Sequence, residues 1–339
     1  MPIFIVGATG TGKSALAMEL ARAFASTGGA AILVMDAMQV YRGADIGTSK
    51  ASAAERAEVP HGGLDLADFG AAFDVAQYVK HAENFLREQQ AAGRQVMVVG
   101  GTGLYFRALT RGLCKAPQGS EELRAELNGL PVEELQARLR KIDPGMLERL
   151  DRSNPRRLVR AIEVMEGTGR SLREWQEETP EPVVKDFRAF WIQREKDELQ
   201  ERIEARVEEM FARGWVEEVR ELVGQYGLEA VRNFAGIGYR EIGEMLAGEG
   251  FARRTQGTRR KSEEEDWPNP PVGTSAATRE SMPEDSVVQN MAATLKRDIL
   301  VATRQYAKRQ LTWFAREPNL QPVMLSGNQP FPAVVPSLL

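Results

Sequence analysis

Gly7-Ala8-Thr9-Gly10-Thr11-Gly12-Lys13-Ser14 decides how this chain is read. The spacing is G-x-x-x-x-G-K-[ST], a complete phosphate-binding loop. The apolar run Pro2 to Val6 precedes it, as a buried parallel strand does, and a helical pattern from Ser14 to Phe24 follows. Glycines in such a loop turn backbone N–H groups inward onto phosphate oxygens. Lys13 adds a mobile positive charge, and the Ser14 hydroxyl can meet a phosphate or its magnesium ion. Gly7, Ala8, Thr9, Gly10, Thr11, Gly12, Lys13 and Ser14 are therefore the first candidate site. The loop says phosphate; it does not say ATP hydrolysis.

Working outward, the first hundred residues alternate strand and helix. Ala30 to Met35 reads as a strand ending at Asp36, and Gln95 to Val99 as another ending in Gly100-Gly101-Thr102-Gly103. Val75 to Gln90 repeats its apolar residues with helical period. The fold class is α/β: a P-loop parallel-sheet core with an inserted helical domain. Ligands are expected at the carboxyl ends of the strands. Residues 1–115 form the first part of the core. Residues 116–185, charged and without strand patterns, are the helical insertion. Residues 186–252 return to the core through a strand at Arg188 to Gln193 and helices from Lys196 and Trp215. Residues 253–288 are rich in Pro, Ser, Thr and Glu, and read as a disordered insert. Residues 289–339 supply a C-terminal helix, Met291 to Phe314, and a tail completing the core.

Composition excludes several classes. In 339 residues there is one cysteine, Cys114, and two histidines, His61 and His81, so neither a disulfide framework nor a Cys/His zinc finger can form. The formal net charge of −4 gives no overall attraction to nucleic acid, so any such site is a local basic patch. No apolar run approaches membrane-spanning length, and Met-Pro-Ile-Phe runs straight into the first strand with no secretory signal. The expectation is a cytoplasmic protein of a reducing compartment, monomeric, with no membrane partner.

Asp36, at a strand end near the phosphate loop, can bind magnesium, act as a general base, or cap the next segment. Where many phosphate-loop hydrolases place a metal-holding acid, this chain has Gly100-Gly101 and Thr102, whose hydroxyl is neutral. That favours binding a phosphate over hydrolysing it. Asn154-Pro155 starts a helix that puts Arg156 and Arg160 on one face. On the last long helix Arg304 and Lys308 share a face with Arg297, which is either solvated surface or an anion site.

Together these residues resemble the tRNA dimethylallyltransferases. The matching stretches run in order: Gly7 to Ser14; Asp36-Ala37-Met38-Gln39-Val40-Tyr41-Arg42-Gly43 with Asp45-Ile46-Gly47-Thr48; Val59-Pro60-His61; Gly100 to Tyr105; Asn154 to Arg160; Gly236-Ile237-Gly238-Tyr239-Arg240; and Thr303 to Phe314. The resemblance implies transfer of a dimethylallyl group from dimethylallyl diphosphate to the exocyclic amine of the adenosine 3′-adjacent to the anticodon. It implies Asp36 as the base and Thr102 as a second catalytic group. It implies diphosphate on the loop residues with Arg304 and Lys308, and Mg2+ at Ser14. It further implies an anticodon stem-loop bound by Asp36, Ala37, Met38, Gln39 and the Arg156, Arg157, Leu158, Val159, Arg160 segment. Three features depart from the family's usual pattern: Ala37 stands for a serine, Gly62-Gly63 for a basic residue and leucine, and the polar stretch 253–288 interrupts the chain just before the final helix. An adenylate dimethylallyltransferase is the nearest alternative, followed by a nucleotide kinase or NTPase and a non-catalytic RNA-binding protein.

Overall fold

A computed structural model describes residues 1–178, 181–248 and 284–327, with side chains of the last stretch described from residue 293. It divides into two compact units: Met1–Tyr105 with Asp186–Leu339, and Phe106–Lys185.

The first unit is built on six parallel strands in the order β3-β2-β4-β1-β5-β6. They are β1 (Ile3–Gly7), β2 (Ala30–Met35), β3 (His61–Gly62), β4 (Gln95–Gly100), β5 (Arg188–Arg194) and β6 (Gln321–Leu325). Side chains alternate between the two faces of a strand, and in a sheet covered on both faces each set is apolar. Ile3, Ile5, Ile32, Val34, Met97, Val99 and Ile192 form one buried set with Leu16, Ala17 and Leu20 of α1 (Lys13–Ala23). Their neighbours Phe4, Val6, Leu33 and Val98 are also buried.

Two strands are invisible to apolar patterning. β3 has only two residues. β6 carries Pro322, which cannot donate to a ladder and is tolerated because β6 is an edge. The Gly62-Gly63 departure has a local cause. A Cβ at Gly62 would stand 2.5 Å from the Phe85 ring, and one at Gly63 would stand 2.2 Å from the Val34 carbonyl oxygen.

Helices α2 (Ala53–Glu58) and α3 (Val75–Ala91) lie between the early strands, and α4 (Gly103–Arg111) follows β4. The second unit carries α5 (Glu121–Asn128), α6 (Val132–Ile142), α7 (Pro144–Arg149), α8 (Pro155–Thr168) and α9 (Leu172–Glu177). Its core includes Leu127, Leu135, Leu139, Leu147, Leu158 and Ile162. Ser120, Asp143 and Asn154 cap α5, α7 and α8 through their side chains. After β5 come α10 (Lys196–Ala212), α11 (Trp215–Tyr226), α12 (Leu228–Asn233) and α13, described over 239–248.

The last helix, α14 (Glu284–Phe314), begins seven residues before the Met291 start read from the sequence. Of the expected disordered insert 253–288, residues 253–283 lie outside the described residues and 284–288 are helical.

Candidate active site

The phosphate loop joins β1 to α1. Gly12 sits at the N-cap of α1 in the left-handed region, at φ 93°, and no side chain caps the helix. The first N–H groups of α1 are thus left to an external anion. Gly7 is required by crowding, since a Cβ there would meet the Ile192 carbonyl oxygen at 2.5 Å.

Two arginines pull the loop's carbonyls outward. Arg202 Nε donates to Gly10 O and Arg194 Nε to Thr11 O, both at 3.0 Å. A planar trans peptide whose carbonyl is held on one side presents the following N–H on the other. The Thr11 hydroxyl donates to Ala8 O at 2.9 Å and is buried, so it shapes the loop. Lys13 Nζ donates to the same Ala8 carbonyl at 2.6 Å. Ser14 is exposed.

Asp36 follows the end of β2. Its Oδ1 accepts N–H bonds from Met38 (2.8 Å) and Gln39 (3.3 Å), fixing the turn that carries Ala37, Met38 and Gln39. Oδ2 takes no partner among the described residues. Thr102, after β4, accepts the Ala37 N–H on its hydroxyl at 3.1 Å and donates its own N–H to Met35 O at 3.4 Å. That pair ties the ends of two adjacent strands, so Asp36 is held with one oxygen engaged and one available. Ala37 takes part through its backbone, which needs no serine hydroxyl.

Arg206, on α10, enters the same electrostatic neighbourhood. Burial, with the Arg206 charge adding to it and Asp36 opposing both, pushes the Lys13 ammonium down to about 7. Burial likewise lowers Arg206, with Asp36 the foremost group opposing it. Burial raises the phenols of Tyr105 and Tyr306, and the Asp36 charge adds to both shifts. Sequence reading passed over Arg206. The available signal was a charged residue on an apolar stripe: Leu199, Ile203 and Met210 of the same helix are buried, and 206 falls in register with them.

Gln310 is the second omission. Buried on α14, it accepts the Thr9 N–H on Oε1 at 2.8 Å and donates from Nε2 to Gly101 O at 2.9 Å. A Cβ at Gly101 would stand 2.1 Å from that Nε2, and one at Gly103 would stand 2.4 Å from the Trp313 ring. The glycines after β4 and the Gln310-to-Trp313 segment are thus packed against each other.

The remaining candidates are placed differently. Arg304 pairs with Glu204 on α10, and Lys308 is exposed. In the helical unit Arg156 and Arg157 are exposed, whereas Leu158 and Val159 are core. Arg160 donates to Ala116 O at 2.7 Å and Pro117 O at 2.8 Å, and lies 3.7 Å from the buried Glu163 carboxylate. Leu158, Val159 and Arg160 thus shape the unit, and Arg156 and Arg157 are its open cations on this turn.

The donor set bears on whether a divalent ion fits here. No cluster of acidic, His or Cys side chains able to hold a metal occurs among the described residues. Magnesium needs only one or two protein oxygens when substrate phosphates and waters supply the rest. The Ser14 hydroxyl, exposed in the first turn of α1, fits that economy.

The IPP transferase family model matches residues 39–317, and an isopentenyl transferase model matches residues 2–60. A tRNA dimethylallyltransferase of Methylacidiphilum infernorum is 40% identical over 317 residues, covering 94% of this chain and 83% of that one. One from Geobacter metallireducens is 37% identical, covering 94% and 90%. Among solved structures, the full-length tRNA isopentenylpyrophosphate transferase of Bacillus halodurans aligns over 99% of this chain and 93% of its own, with TM-score 0.61 and 28% identity. A eukaryotic dimethylallyltransferase solved acting on tRNA shares the fold at TM-score 0.71 and 22% identity, over 97% and 75%. The chain belongs to the IPP transferase family, the tRNA dimethylallyltransferases.

Proposed function

We propose that this prenyltransferase moves a dimethylallyl group from dimethylallyl diphosphate to the exocyclic amine of the adenosine 3′-adjacent to the anticodon. The single observation that carries the chemistry is Asp36, held by Met38 and Gln39 with Oδ2 free, within the electrostatic reach of Lys13 and Arg206. The amine nitrogen forms a bond to the allylic carbon as the carbon–oxygen bond to diphosphate breaks. The amine proton passes to Asp36 Oδ2. The loop N–H groups, Lys13 and Arg206 meet the negative charge of the departing diphosphate. When bound, magnesium at Ser14 would add a positive charge on the same oxygens.

The adenosine must leave the anticodon-loop stack to reach Asp36. Arg156 and Arg157 are the phosphate contacts of the helical unit, holding the stem-loop by shape and charge. A monomer acting in the cytoplasm suits this reading. No described helix is long and apolar enough to cross a membrane.

Incubation with labelled dimethylallyl diphosphate and unmodified tRNA tests the proposal. Label should enter the tRNA at one adenosine beside the anticodon and not enter AMP. Preferential labelling of AMP, or tRNA-stimulated phosphate release from ATP, would overturn it.

A further inference from the structure

The segment Gly236 to Tyr239 has no part in the site just described, yet it reaches the site through one carboxylate. Glu218, half-buried on α11, accepts the backbone N–H groups of Asp45 (2.9 Å) and Ile46 (2.6 Å) on Oε2. Its Oε1 accepts the Gly47 N–H at 3.2 Å and the Tyr239 hydroxyl at 2.7 Å. Four donors thus converge on one carboxylate, and charge-assisted bonds of this kind are the strong ones.

Packing seals the arrangement. A Cβ at Gly47 would stand 2.1 Å from Trp215 Nε1, and one at Gly238 would stand 2.2 Å from the same indole's Cη2. Tyr239 is fully buried and meets Trp215 edge-on at 5.8 Å. Trp215 is therefore pressed between two glycines, with the loop on one side and the start of α13 on the other.

The held turn leads directly to the site. Thr48, next along the chain, accepts the Gln39 side-chain amide on its carbonyl at 3.0 Å, while its hydroxyl donates to Ala44 O. Gln39 in turn gives its backbone N–H to Asp36. Lys50 ties the base of the loop to Asp45 and Asp65, each at 2.6 Å.

We infer that Glu218, fixed by Tyr239, is a positioning residue for RNA: it sets the Asp45–Thr48 turn, and through Thr48 aims the Gln39 side chain at the target nucleotide. The inference rests on the proposed function, because it needs Gln39 to face RNA.

The test compares E218Q, Y239F, Q39A and the E218Q/Q39A double variant in steady-state transfer. A glutamine at 218 turns one acceptor oxygen into a donor and opposes the Gly47 N–H. KM for tRNA should rise about tenfold in E218Q, the scale of one charged hydrogen bond removed, while KM for dimethylallyl diphosphate stays within about twofold. E218Q should add little to Q39A, since both act on one element. Independent multiplication of the two effects, or an equal rise in both KM values, would overturn the inference. Should E218Q fail to fold, Y239F removes one donor of the four and is read by the same criteria.

Amide hydrogen exchange reads the clamp without substrate. Ile46 and Gly47 should exchange at least about tenfold faster in the 218 or 239 variant. Unchanged exchange overturns the clamp whatever the enzyme's substrate. A wild type that labels no tRNA would overturn the functional reading alone, before any variant is compared.

Discussion

Arg206 lies within electrostatic reach of Lys13, and the two half-buried cations share the Asp36 carboxylate. Neither cation forms a salt bridge among the described residues. Burial and mutual repulsion hold Lys13 near 7, so much of it is neutral in the free protein at neutral pH. An anion on the loop reverses the balance.

Diphosphate binding should therefore take up a proton. In the free protein Lys13 loses its charge as pH rises through about 7, whereas a bound diphosphate favours the charged form and raises its pKa. Affinity for inorganic diphosphate is then fully expressed below that value and falls above it, by at most about tenfold per pH unit. Calorimetry in buffers of different ionisation enthalpy checks this: heat should track the buffer at pH 8. In Arg206→Ala the inflection should move to higher pH, since one repelling charge is gone, while overall affinity drops.

Asp36→Asn separates the turn from the chemistry. Asparagine keeps an oxygen for the Met38 and Gln39 N–H groups, so the loop should hold its shape. It cannot accept the amine proton at its other position. Turnover should fall by about 10²- to 10⁴-fold with tRNA affinity unchanged. Single-turnover transfer and a filter-binding titration on the same preparation decide it.

The core was legible because buried parallel strands leave continuous apolar runs, and β1, β2 and β4 have them. Asp36 and Thr102 were legible for a related reason: the end of an apolar run marks where such a sheet opens to ligand. What stayed hidden depended on distance in sequence. Nothing near Gly101 announces that Gln310 will lie against it, and nothing near Asp45 announces Glu218. Arg160 looked like its neighbour Arg156, because periodicity gives the face of a helix and not the carbonyls waiting at 116 and 117. Arg206 could have been found, as a charge on an apolar stripe.

That distinction makes the helical unit testable. Replacing both Arg156 and Arg157 by alanine should lower the slope of log affinity for tRNA against log salt by about 0.7–0.9 for each phosphate left without its arginine. Melting of the protein should barely change, since both side chains are exposed. Arg160→Ala should do the reverse. It strips two carbonyls of a charged donor and leaves the buried Glu163 with Arg124 alone, costing about 1–3 kcal/mol of stability. Salt titrations and thermal melts of the two variants should show opposite patterns.

Gln310 joins the phosphate loop to the end of β4, and its two hydrogen bonds allow a test by opposed substitutions. Gln310→Ala leaves the Thr9 N–H and the Gly101 carbonyl without a partner in a buried place, at a cost of about 1–3 kcal/mol. Thr9 belongs to the loop proposed to carry diphosphate, so KM for dimethylallyl diphosphate should rise while KM for tRNA does not. Gly101→Ala should reach the same state by another route, because its new methyl group falls 2.1 Å from Nε2 and drives the amide away. Each single change thus breaks the same bridge. In the double variant the methyl group occupies space the shortened side chain has vacated, so the clash with the amide disappears and only the 3.0 Å approach to the Gly7 carbonyl oxygen remains. The double variant should be only slightly worse than Gln310→Ala alone in melting temperature and in KM for dimethylallyl diphosphate, well short of the sum of the two. Strict additivity would mean that Gly101 meets a different neighbour, and that Gln310 does not span the two elements.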